Sequence, residues 1–597
     1  MKSLKDFKMK NLKYITTLVT FIVMGTILDS CNKTFLEKPV LGSLSEEVLA
    51  NEKGVTKLLI GAYAALDGQN VGGGTWESAP NNWIYGSVSG ADAHKGSYGG
   101  DQPGIDPIVT GKADGSNGFF NAKYVASYEG VQRANAVLRV MELAEDLTAG
   151  QKAIFGGEAR FLRGHYYFEL KKMFNNVPFM DEKTTDFKTP NDKDIWPMIE
   201  ADFKFAMDNL ADAAPAVGRV NKWAAAVYLA KAYMFEKKYP EALTLFNTII
   251  AQGKNSAGVA YGLYDRFEDN FDPAKKNGKE SVFAVQMVAK AGTGDISSGN
   301  AGDMLNFPYG DSPFGCCGFY QPTFDLVNSY RTDATGLPIL TGYNGTMVTS
   351  DQGIESSAPF TTYAGTLDPR LDWTAGRRGI PYKDWGIHPG KKWIRDQTYA
   401  GPYAPKKNIY WQSTQDTYSD RISWAPGSAI NVNIIRFADV LLMAAEAEAQ
   451  AGSLPKALGY VNQVRTRAAR PETKVYKYNN DATPLAGFSA VPAANYLIAP
   501  YPVGSPVFAA KADALKAIYF ERKLELAMEG HRFFDLVRWG IAATELNAFF
   551  TYEGAITIDV SGGKFTAGKN EYYPIPQTQI DLSVKGGVPT LKQNPGY

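Results

Sequence analysis

The chain contains 597 residues, in which 62 Lys and Arg are balanced by 62 Asp and Glu. A formal net charge of zero argues against a nucleic-acid-binding protein and against electrostatic attraction to an anionic membrane. The chain is also longer than one hydrophobic core usually serves. We therefore expect either two domains or one extended domain built from repeats.

The N-terminal segment has the pattern of a bacterial export signal. Lysines between positions 2 and 13 form a basic leader, an uncharged apolar run covers Tyr14 to Leu28, and Asp29, Ser30 and Cys31 follow. The 15 residues of the apolar run are fewer than the roughly 20 that a membrane-spanning helix needs. We predict a lipoprotein signal peptide at 1–30, acylation of Cys31 and a tether at 31–45, so that contact with the membrane is made through the lipid anchor alone.

Cysteine and histidine are scarce. Besides Cys31, the only cysteines are the adjacent Cys316 and Cys317, which form either a vicinal disulfide or two free thiols. Stability must therefore come from packed area rather than from a disulfide framework. The histidines lack metal-ligand spacing, so we predict packing or surface roles for them and no metal or cofactor. They are His94, His165, His388 and His531.

Residues 70–118 form the first stretch in which apolar residues follow neither a helical nor a strand period. This stretch is rich in Gly, Asn and Ser, and it contains Trp76 and Trp83. Asn82 and Asp92 lie near Trp83 in the sequence and could hydrogen-bond a ligand that stacks on the indole. Irregular segments of this length in compact proteins are usually functional.

Helical periodicity dominates four later stretches, at 153–174, 219–250, 438–470 and 511–539. Small residues alternate with large ones, as at Ala225, Leu229 and Ala232, in the manner of tetratricopeptide helix pairs. These stretches predict a mostly α protein in which helix pairs stack into a solenoid-like core.

A second irregular region covers residues 290–430 and is rich in aromatic side chains. Trp385, Trp393 and Trp411 lie there, together with Trp373 and Trp424. Flat rings suit a carbohydrate, because one face of a pyranose is apolar while its hydroxyl groups need hydrogen-bonding neighbours. The alternative is that these rings only hold the loops against the helical body.

Near the C-terminus, Glu521, Glu525, Glu529 and Arg532 follow at steps of four, four and three, so a continuous helix would align them on one side. We interpret this stripe as a buried ion-pair network. The alternative is a pair of catalytic carboxylates, for which Glu529 and Asp535 are the candidates.

The segment from Phe520 to Gly540 resembles the signature of the SusD/RagB family. Other segments agree with this resemblance, and they are Glu158–Leu170, Asn176–Pro178, Ile434–Ala447, Val461–Ala468, Tyr572–Gln577 and Gln593–Tyr597. The resemblance implies an N-terminal SusD-like helical region at 46–260 and a C-terminal SusD/RagB region with loop insertions at 261–597.

The resemblance also implies a function. Proteins of this family are surface-exposed lipoproteins of the outer membrane that bind glycans and partner a SusC-like TonB-dependent transporter. The family places its ligand platform on long loops outside the repeats. We therefore expect Trp83, Asn82, Asp92, Trp385, Trp393 and Trp411 to supply ligand contacts.

Two other functions stay open. The first is a helical-repeat scaffold that binds only protein or peptide cargo, and the second is a glycoside hydrolase. The sequence has no Gly-x-Ser-x-Gly elbow, no His-Glu-x-x-His motif and no P-loop. We therefore predict a binding protein rather than an enzyme.

Overall fold

The computed structural model describes residues 45–68, 75–292, 299–422 and 424–597. The predicted signal peptide, the lipidated Cys31 and all of the predicted tether except residue 45 lie outside the described residues.

Long helices form the frame of the protein, and most begin at a recognisable cap. The helix after Thr148 starts with a capping box, in which the Thr148 hydroxyl and the Gln151 side chain bind each other's backbone N–H groups. The helix after Asn221 begins where that side chain accepts a hydrogen bond from Ala224 N at 2.9 Å. The helices are α1 Glu52–Ala64, α2 Gly118–Leu143, α3 Ala149–Phe174, α4 Trp196–Asn209, α5 Lys222–Phe235, α6 Tyr239–Gln252, α7 Phe437–Ala451, α8 Leu454–Ala468, α9 Lys511–Glu525, α10 Arg532–Trp539 and α11 Ala542–Glu553.

Helices α1 to α9 pack against one another in chain order, and α7 also packs on α9. Helix α6 packs directly on α7 although a long segment separates them in sequence. One hydrophobic core includes residues from Val55 to Leu591. The prediction of a mostly α, tetratricopeptide-like stack is confirmed.

Short elements decorate this frame. Shorter α-helices are Glu46–Leu49, Ile105–Val109, Phe324–Ser329, Leu371–Thr374, Gln397–Ala400, Gln415–Tyr418 and Gln577–Leu582, and a π-helix covers Trp83–Val88. Single 3-10 turns are Ala65–Asp67, Phe267–Phe271, Ala301–Asp303, Tyr343–Gly345, Lys391–Trp393, Gln412–Thr414, Pro471–Thr473, Pro484–Ala486 and Pro506–Phe508.

The strands of the described residues form antiparallel pairs, and two pairs position the irregular regions. Pairing of β2 (Ser281–Val285) with β8 (Val432–Arg436) closes the base of the long segment that leaves the helical frame after β2 and returns before α7. Pairing of β1 (Ala93–Gly96) with β3 (Phe319–Pro322) brings the early loop against that segment. The strands are β1 Ala93–Gly96, β2 Ser281–Val285, β3 Phe319–Pro322, β4 Ala375–Gly376, β5 Ala404–Pro405, β6 Ser419–Asp420, β7 Gly427–Ser428, β8 Val432–Arg436, β9 Tyr476–Tyr478, β10 Phe488–Pro492, β11 Val584–Lys585 and β12 Val588–Pro589, and the remaining pairs are β4–β5, β6–β7, β9–β10 and β11–β12.

The helix predicted at 511–539 is interrupted. Helix α9 ends at Glu525 and α10 begins at Arg532, because Met528 and Gly530 adopt positive φ angles of 59° and 78°. Gly530 is required here, since a Cβ atom at this position would collide with the Asn81 carbonyl oxygen. The break turns the start of α10 away from the glutamate stripe of α9.

The predicted ion-pair network is confirmed, but its cations come from distant segments. Glu525 accepts hydrogen bonds from Arg370 Nη1 at 2.8 Å and from Arg436 Nη1 at 2.5 Å, and it also pairs with Arg467. Glu529 accepts from Arg436 Nε at 2.8 Å and from Lys407 Nζ at 2.7 Å. Although burial opposes ionisation, Arg467, Arg436 and Arg370 hold the pKa of Glu525 below its ordinary value.

Arg532 does not belong to this network, and our expectation for it was wrong. Its closest ion pair is a 3.4 Å contact from Nη2 to Glu545 Oε2. A continuous helix would place Arg532 on the same side as the glutamates. The backbone break before Arg532 places it on a different face. Asp535 is likewise held by cations, at 2.9 Å from Arg522 and 2.8 Å from Arg538.

We expect Glu525→Gln to lower the free energy of unfolding by about 3–5 kcal/mol, because it leaves buried guanidinium groups without their shared carboxylate. The matched change Arg532→Met should cost less than about 1 kcal/mol, because it removes one long contact to a half-exposed partner and keeps an apolar stem. Chemical denaturation of both variants measures the difference. Equal losses would contradict the exclusion of Arg532 from the network around Glu525.

Candidate functional site

The structure buries the early-loop residues that we expected to bind ligand. The Trp83 side chain has 0% exposure and packs edge-on against Phe319 and Tyr320, with ring centroids 6.2 Å and 5.6 Å away. Asn82 donates to Glu169 Oε2 at 2.9 Å. Asp92 accepts from Met528 N at 3.0 Å, and burial raises its pKa to about 7. Trp83, Asn82 and Asp92 therefore face the core, where a glycan cannot reach them in this arrangement.

Trp385 and Trp393 lie in a small satellite core. Trp393 is buried edge-on against Tyr382, at a centroid distance of 5.5 Å. Trp385 is partly buried, and its Nε1 donates to the Tyr410 carbonyl oxygen at 2.8 Å. These rings hold their loop together, which is the alternative that the sequence left open for them.

Trp411 packs against the main core rather than in that satellite core. It is partly buried, with ring centroids 6.2 Å from Trp373 and 6.3 Å from Phe488. The structure therefore does not bring Trp411 together with Trp83, Trp385 and Trp393 around one cleft.

Another tryptophan, Trp424, is exposed and contacts the partly buried Trp76. Trp424 is 56% exposed, and its ring centroid lies 6.2 Å from that of Trp76 at an interplanar angle of 83°. Trp76 is oriented by a hydrogen bond from its Nε1 to Gln102 Oε1 at 3.2 Å. Ala425, which follows Trp424 in the chain, packs with Ala301 and Met304. The planes of the two indoles are almost perpendicular, so that Trp76 and Trp424 form a corner.

Two tyrosines and an arginine lie beside this corner. The Arg395 guanidinium lies 4.3 Å from the Tyr98 ring centroid and 4.5 Å from that of Tyr309. Arg395 Nη1 donates to Asp101 Oδ2 at 2.7 Å and to Ser97 Oγ at 2.9 Å, which fixes the stack. Tyr98 is 42% exposed. The stack therefore presents one more accessible ring.

One tight turn connects the two groups. Asp101 binds Arg395, while Gln102 binds Trp76, and both residues belong to the turn that follows Tyr98. Gln102 has a φ of 48°, a conformation that non-glycine residues adopt rarely and that recurs at functional sites. We call Trp76, Tyr98, Tyr309 and Trp424, with Gln102 and Arg395, the aromatic platform.

A disulfide lies close to the segment that carries Trp424. Cys316 and Cys317 are disulfide-bonded, which is one of the two states that the sequence left open. Cys316 packs against the small cluster of Ala301, Met304 and Ala425, and Ala425 directly follows Trp424. The adjacent Gly318 accepts a hydrogen bond from Ser97 N at 2.6 Å, which connects this segment to the turn that carries Tyr98.

The platform combines exposed ring faces with polar neighbours, which is what a sugar needs. Asp311 and Lys392 are exposed beside Tyr309, and Lys392 Nζ lies 3.7 Å from Asp311 Oδ2. Rings supply apolar stacking surface, and the neighbouring carboxylate, amide and ammonium groups can bind hydroxyl groups.

The sequence did contain a signal for these residues. Trp76 follows Gly72–Gly74, Tyr98 precedes Gly99 and Gly100, and Trp424 is followed by Pro426 and Gly427. Aromatic residues between glycines have few large neighbours in sequence to cover them, whereas Trp83 is followed by Ile84 and Tyr85. Arg395 had no recognisable signal.

A buried histidine cluster resembles a catalytic arrangement but is structural. The His94 ring nitrogens lie 3.0 Å from Asp559 Oδ2 and 2.9 Å from Glu553 Oε1, and all three side chains are almost completely buried. Glu553 also accepts hydrogen bonds from Phe324 N at 2.7 Å and Asp325 N at 3.0 Å. The cluster therefore connects β1 with the segment after α11 and is closed to a substrate.

Within the parts of the chain that the structure describes, no group of three or more His, Cys, Asp or Glu side chains could hold a metal ion. No helix in those same parts is long and apolar enough to cross a membrane.

Family models match most of the chain. The model described as "SusD family" matches residues 279–597, and that described as "Starch-binding associating with outer membrane" matches residues 43–234. The chain belongs to the SusD family.

Relatives agree with this assignment. SusD-like protein P25 of Formosa agariphila is 26% identical over 437 residues, which covers 69% of each chain. SusD-like protein P2 of the same organism is 23% identical over 595 residues and covers 97% of this chain and 99% of its own.

Solved structures show the same fold. A SusD homolog from Bacteroides thetaiotaomicron has a TM-score of 0.65 at 19% identity and covers 92% of this chain and 97% of its own. Surface glycan-binding protein A from the same species, solved in complex with laminarihexaose, has a TM-score of 0.61 at 19% identity and covers 91% and 99% of the two chains. A laminarin-binding SusD-like protein has a TM-score of 0.60 at 22% identity and covers 92% and 100%.

The histidine cluster predicts a pH dependence of stability. Although burial opposes protonation, Asp559 and Glu553 raise the pKa of His94 from 6.5 to about 10. The contribution of protonated His94 to the free energy of unfolding is therefore fully present below pH 6.5 and is lost as pH rises through about 10. The difference in unfolding free energy between wild type and His94→Gln should shrink over this range, by up to about 1.4 kcal/mol per pH unit.

His388 provides the control, because burial lowers its pKa to about 3 and it stays neutral throughout that range. His388→Gln should differ from wild type by the same amount at each pH. Chemical denaturation as a function of pH checks both variants. A difference for His94→Gln that does not change with pH would contradict the charged state of the cluster.

Proposed function

We propose that this SusD-family protein is a surface-exposed lipoprotein of the outer membrane that captures glycans on the aromatic platform and delivers them to a SusC-like TonB-dependent transporter. The observation that carries the proposal is the exposed corner of Trp76 and Trp424 beside the stack of Tyr98, Arg395 and Tyr309. It supplies the two exposed rings of Trp424 and Tyr98 beside the partly buried rings of Trp76 and Tyr309.

The shape of the platform favours a chain of sugars over a single sugar. Gln102 in the turn after Tyr98 connects to the pair of Trp76 and Trp424, and Asp101 in the same turn connects to Arg395, which stacks on Tyr309. Rings held by one turn can stack on successive residues of an oligosaccharide. Laminarihexaose, which is bound in one structural neighbour, is therefore the first probe to use.

The surroundings of the carboxylates in the segment from Phe520 to Gly540 favour a binding protein over a glycosidase. A glycosidase requires two carboxyl groups facing each other across a substrate cleft, one of them protonated. Glu529 and Asp535 are both held by cations, and Arg436 and Arg522 keep their pKa values below the ordinary range despite burial. These groups stabilise the fold.

We expect Trp424→Ala and Trp76→Ala each to cost about 2 kcal/mol of glycan binding, or about thirtyfold in affinity. Thermal unfolding of Trp424→Ala should change little, because that ring is 56% exposed. Calorimetric titration with a glycan that the wild type binds measures the affinities.

Trp83→Ala is the matched control. It should lower the free energy of unfolding by about 3–5 kcal/mol because it leaves a cavity in the core. The affinity of the folded fraction should stay near that of the wild type. Unchanged glycan affinity in both platform variants would place the binding site elsewhere on the protein.

The anchor provides a second prediction. Cys31→Ala removes the predicted site of acylation, so the protein should appear in soluble fractions or remain as uncleaved precursor. The double variant Cys316→Ala/Cys317→Ala keeps Cys31 and should stay with the membrane. Immunoblots of fractionated cells report the distribution. A Cys31→Ala chain that is cleaved to the mature size and still associates with the membrane as the wild type does would contradict the lipid anchor.

A further inference from the structure

A cavity of about 600 Å³ lies between helices α9, α10 and α11 and the loop at 340–344. It contains none of the aromatic-platform residues. Its volume falls within the range of roughly 300–1,000 Å³ that is typical of small-molecule sites. The function proposed above leaves this cavity without a role.

Most of the cavity wall is apolar. The lining side chains include Leu515, Phe520, Leu536, Ile541 and Phe549. Such a wall offers few partners for the hydroxyl groups of a sugar, and burying unpartnered hydroxyl groups is unfavourable. The cavity therefore suits a ligand with an apolar body.

The polar side of the cavity contains Arg532, which the ion-pair network leaves out. Its side chain is only 11% exposed, and its closest ion pair is the 3.4 Å contact to Glu545, whose side chain is 45% exposed. A guanidinium group has five N–H donors in a planar fork, so one long contact leaves most of its capacity unused.

The other buried cation of the cavity is already paired. Lys523 Nζ binds Asp325 Oδ2 at 2.5 Å and the Tyr343 hydroxyl at 2.8 Å. Lys516 lies exposed on the lining. A ligand carboxylate would therefore meet Arg532 directly, with further positive charge from Lys516.

We propose that this cavity binds a small organic carboxylate with an apolar aryl or alkyl body. The carboxylate accepts two parallel hydrogen bonds from the Arg532 fork and replaces the long contact to Glu545. The apolar body fills the space between Leu515, Leu536 and Phe549. The site is separate from glycan capture on the aromatic platform.

The test uses three probes on the intact mature protein, with binding followed by calorimetry and ligand-observed NMR. Phenylbutyrate and octanoate represent aryl and alkyl carboxylates, and phenylbutyramide is the neutral analogue. At least one carboxylate should bind with a Kd below about 1 mM, and the amide should bind at least about tenfold more weakly than phenylbutyrate. The stronger carboxylate shows which body the cavity prefers.

Two variants locate the site. Arg532→Met should weaken carboxylate binding at least about tenfold while changing amide binding little. Ala548→Trp places a large side chain into the lining from an exposed position on α11 and should abolish binding of all three probes. Glycan affinity at the platform should be that of the wild type in both variants.

Absence of carboxylate binding to the wild type at about 1 mM would overturn the proposal. So would wild-type carboxylate affinity in folded Arg532→Met. If that variant does not fold, wild-type affinity in Ala548→Trp overturns the proposal in its place. Glycan titration of the same samples is a separate readout, so a failure here is distinguishable from a failure of the platform.

Discussion

The charged network at the end of α9 is the constraint on which the rest of the structure depends. Glu521 and Glu525 extend from a helix of the stack, while Arg370 and Arg436 come from the long irregular segment and the strand that ends it. A buried charge is tolerable only when its partners are all in place. The network therefore requires the irregular segment to attach to the helical frame at one position, and it couples the two parts of the chain.

This attachment explains how exposed rings can lie on loops and still be positioned. The loops are fixed at their bases by the β1–β3 and β2–β8 pairs and by the buried His94 cluster. Above these bases, hydrogen bonds from Trp76 and Arg395 to a single turn orient the accessible rings. Because contacts with the helical frame already order the loops, a ligand meets a largely formed surface and loses less free energy to ordering them.

Local periodicity was enough to predict most of the helical frame. Helices α3 and α5 to α9 all fall in stretches with a clear helical repeat. Helix α2 was not singled out because it is buried on several sides, with Lys123 and Asn135 in the interior, which blurs the contrast between faces. The break before Arg532 was missed because it depends on Asn81, a residue far away in sequence, passing against Gly530.

Glycine-rich neighbours favour an exposed ring, but contacts between distant segments decide which tryptophans are buried. Trp83 is covered by Phe319 and Tyr320, and the Trp424 ring is oriented against Trp76, in both cases across large separations in sequence. The composition of the sequence indicated which loops carry the platform. Contacts between distant segments determine which rings on those loops are exposed. Contacts of the same kind bury Trp393 and partly bury Trp385.

Hydrogen exchange of the protein with and without a bound oligosaccharide shows directly whether the aromatic platform binds glycan. We expect slow exchange throughout α3, α7 and α9 in both states. We also expect glycan-induced protection confined to residues 75–102, 301–318, 392–396 and 424–428. Protection centred on α9 to α11, or none near Trp76 and Trp424, would contradict the assignment of glycan capture to the aromatic platform.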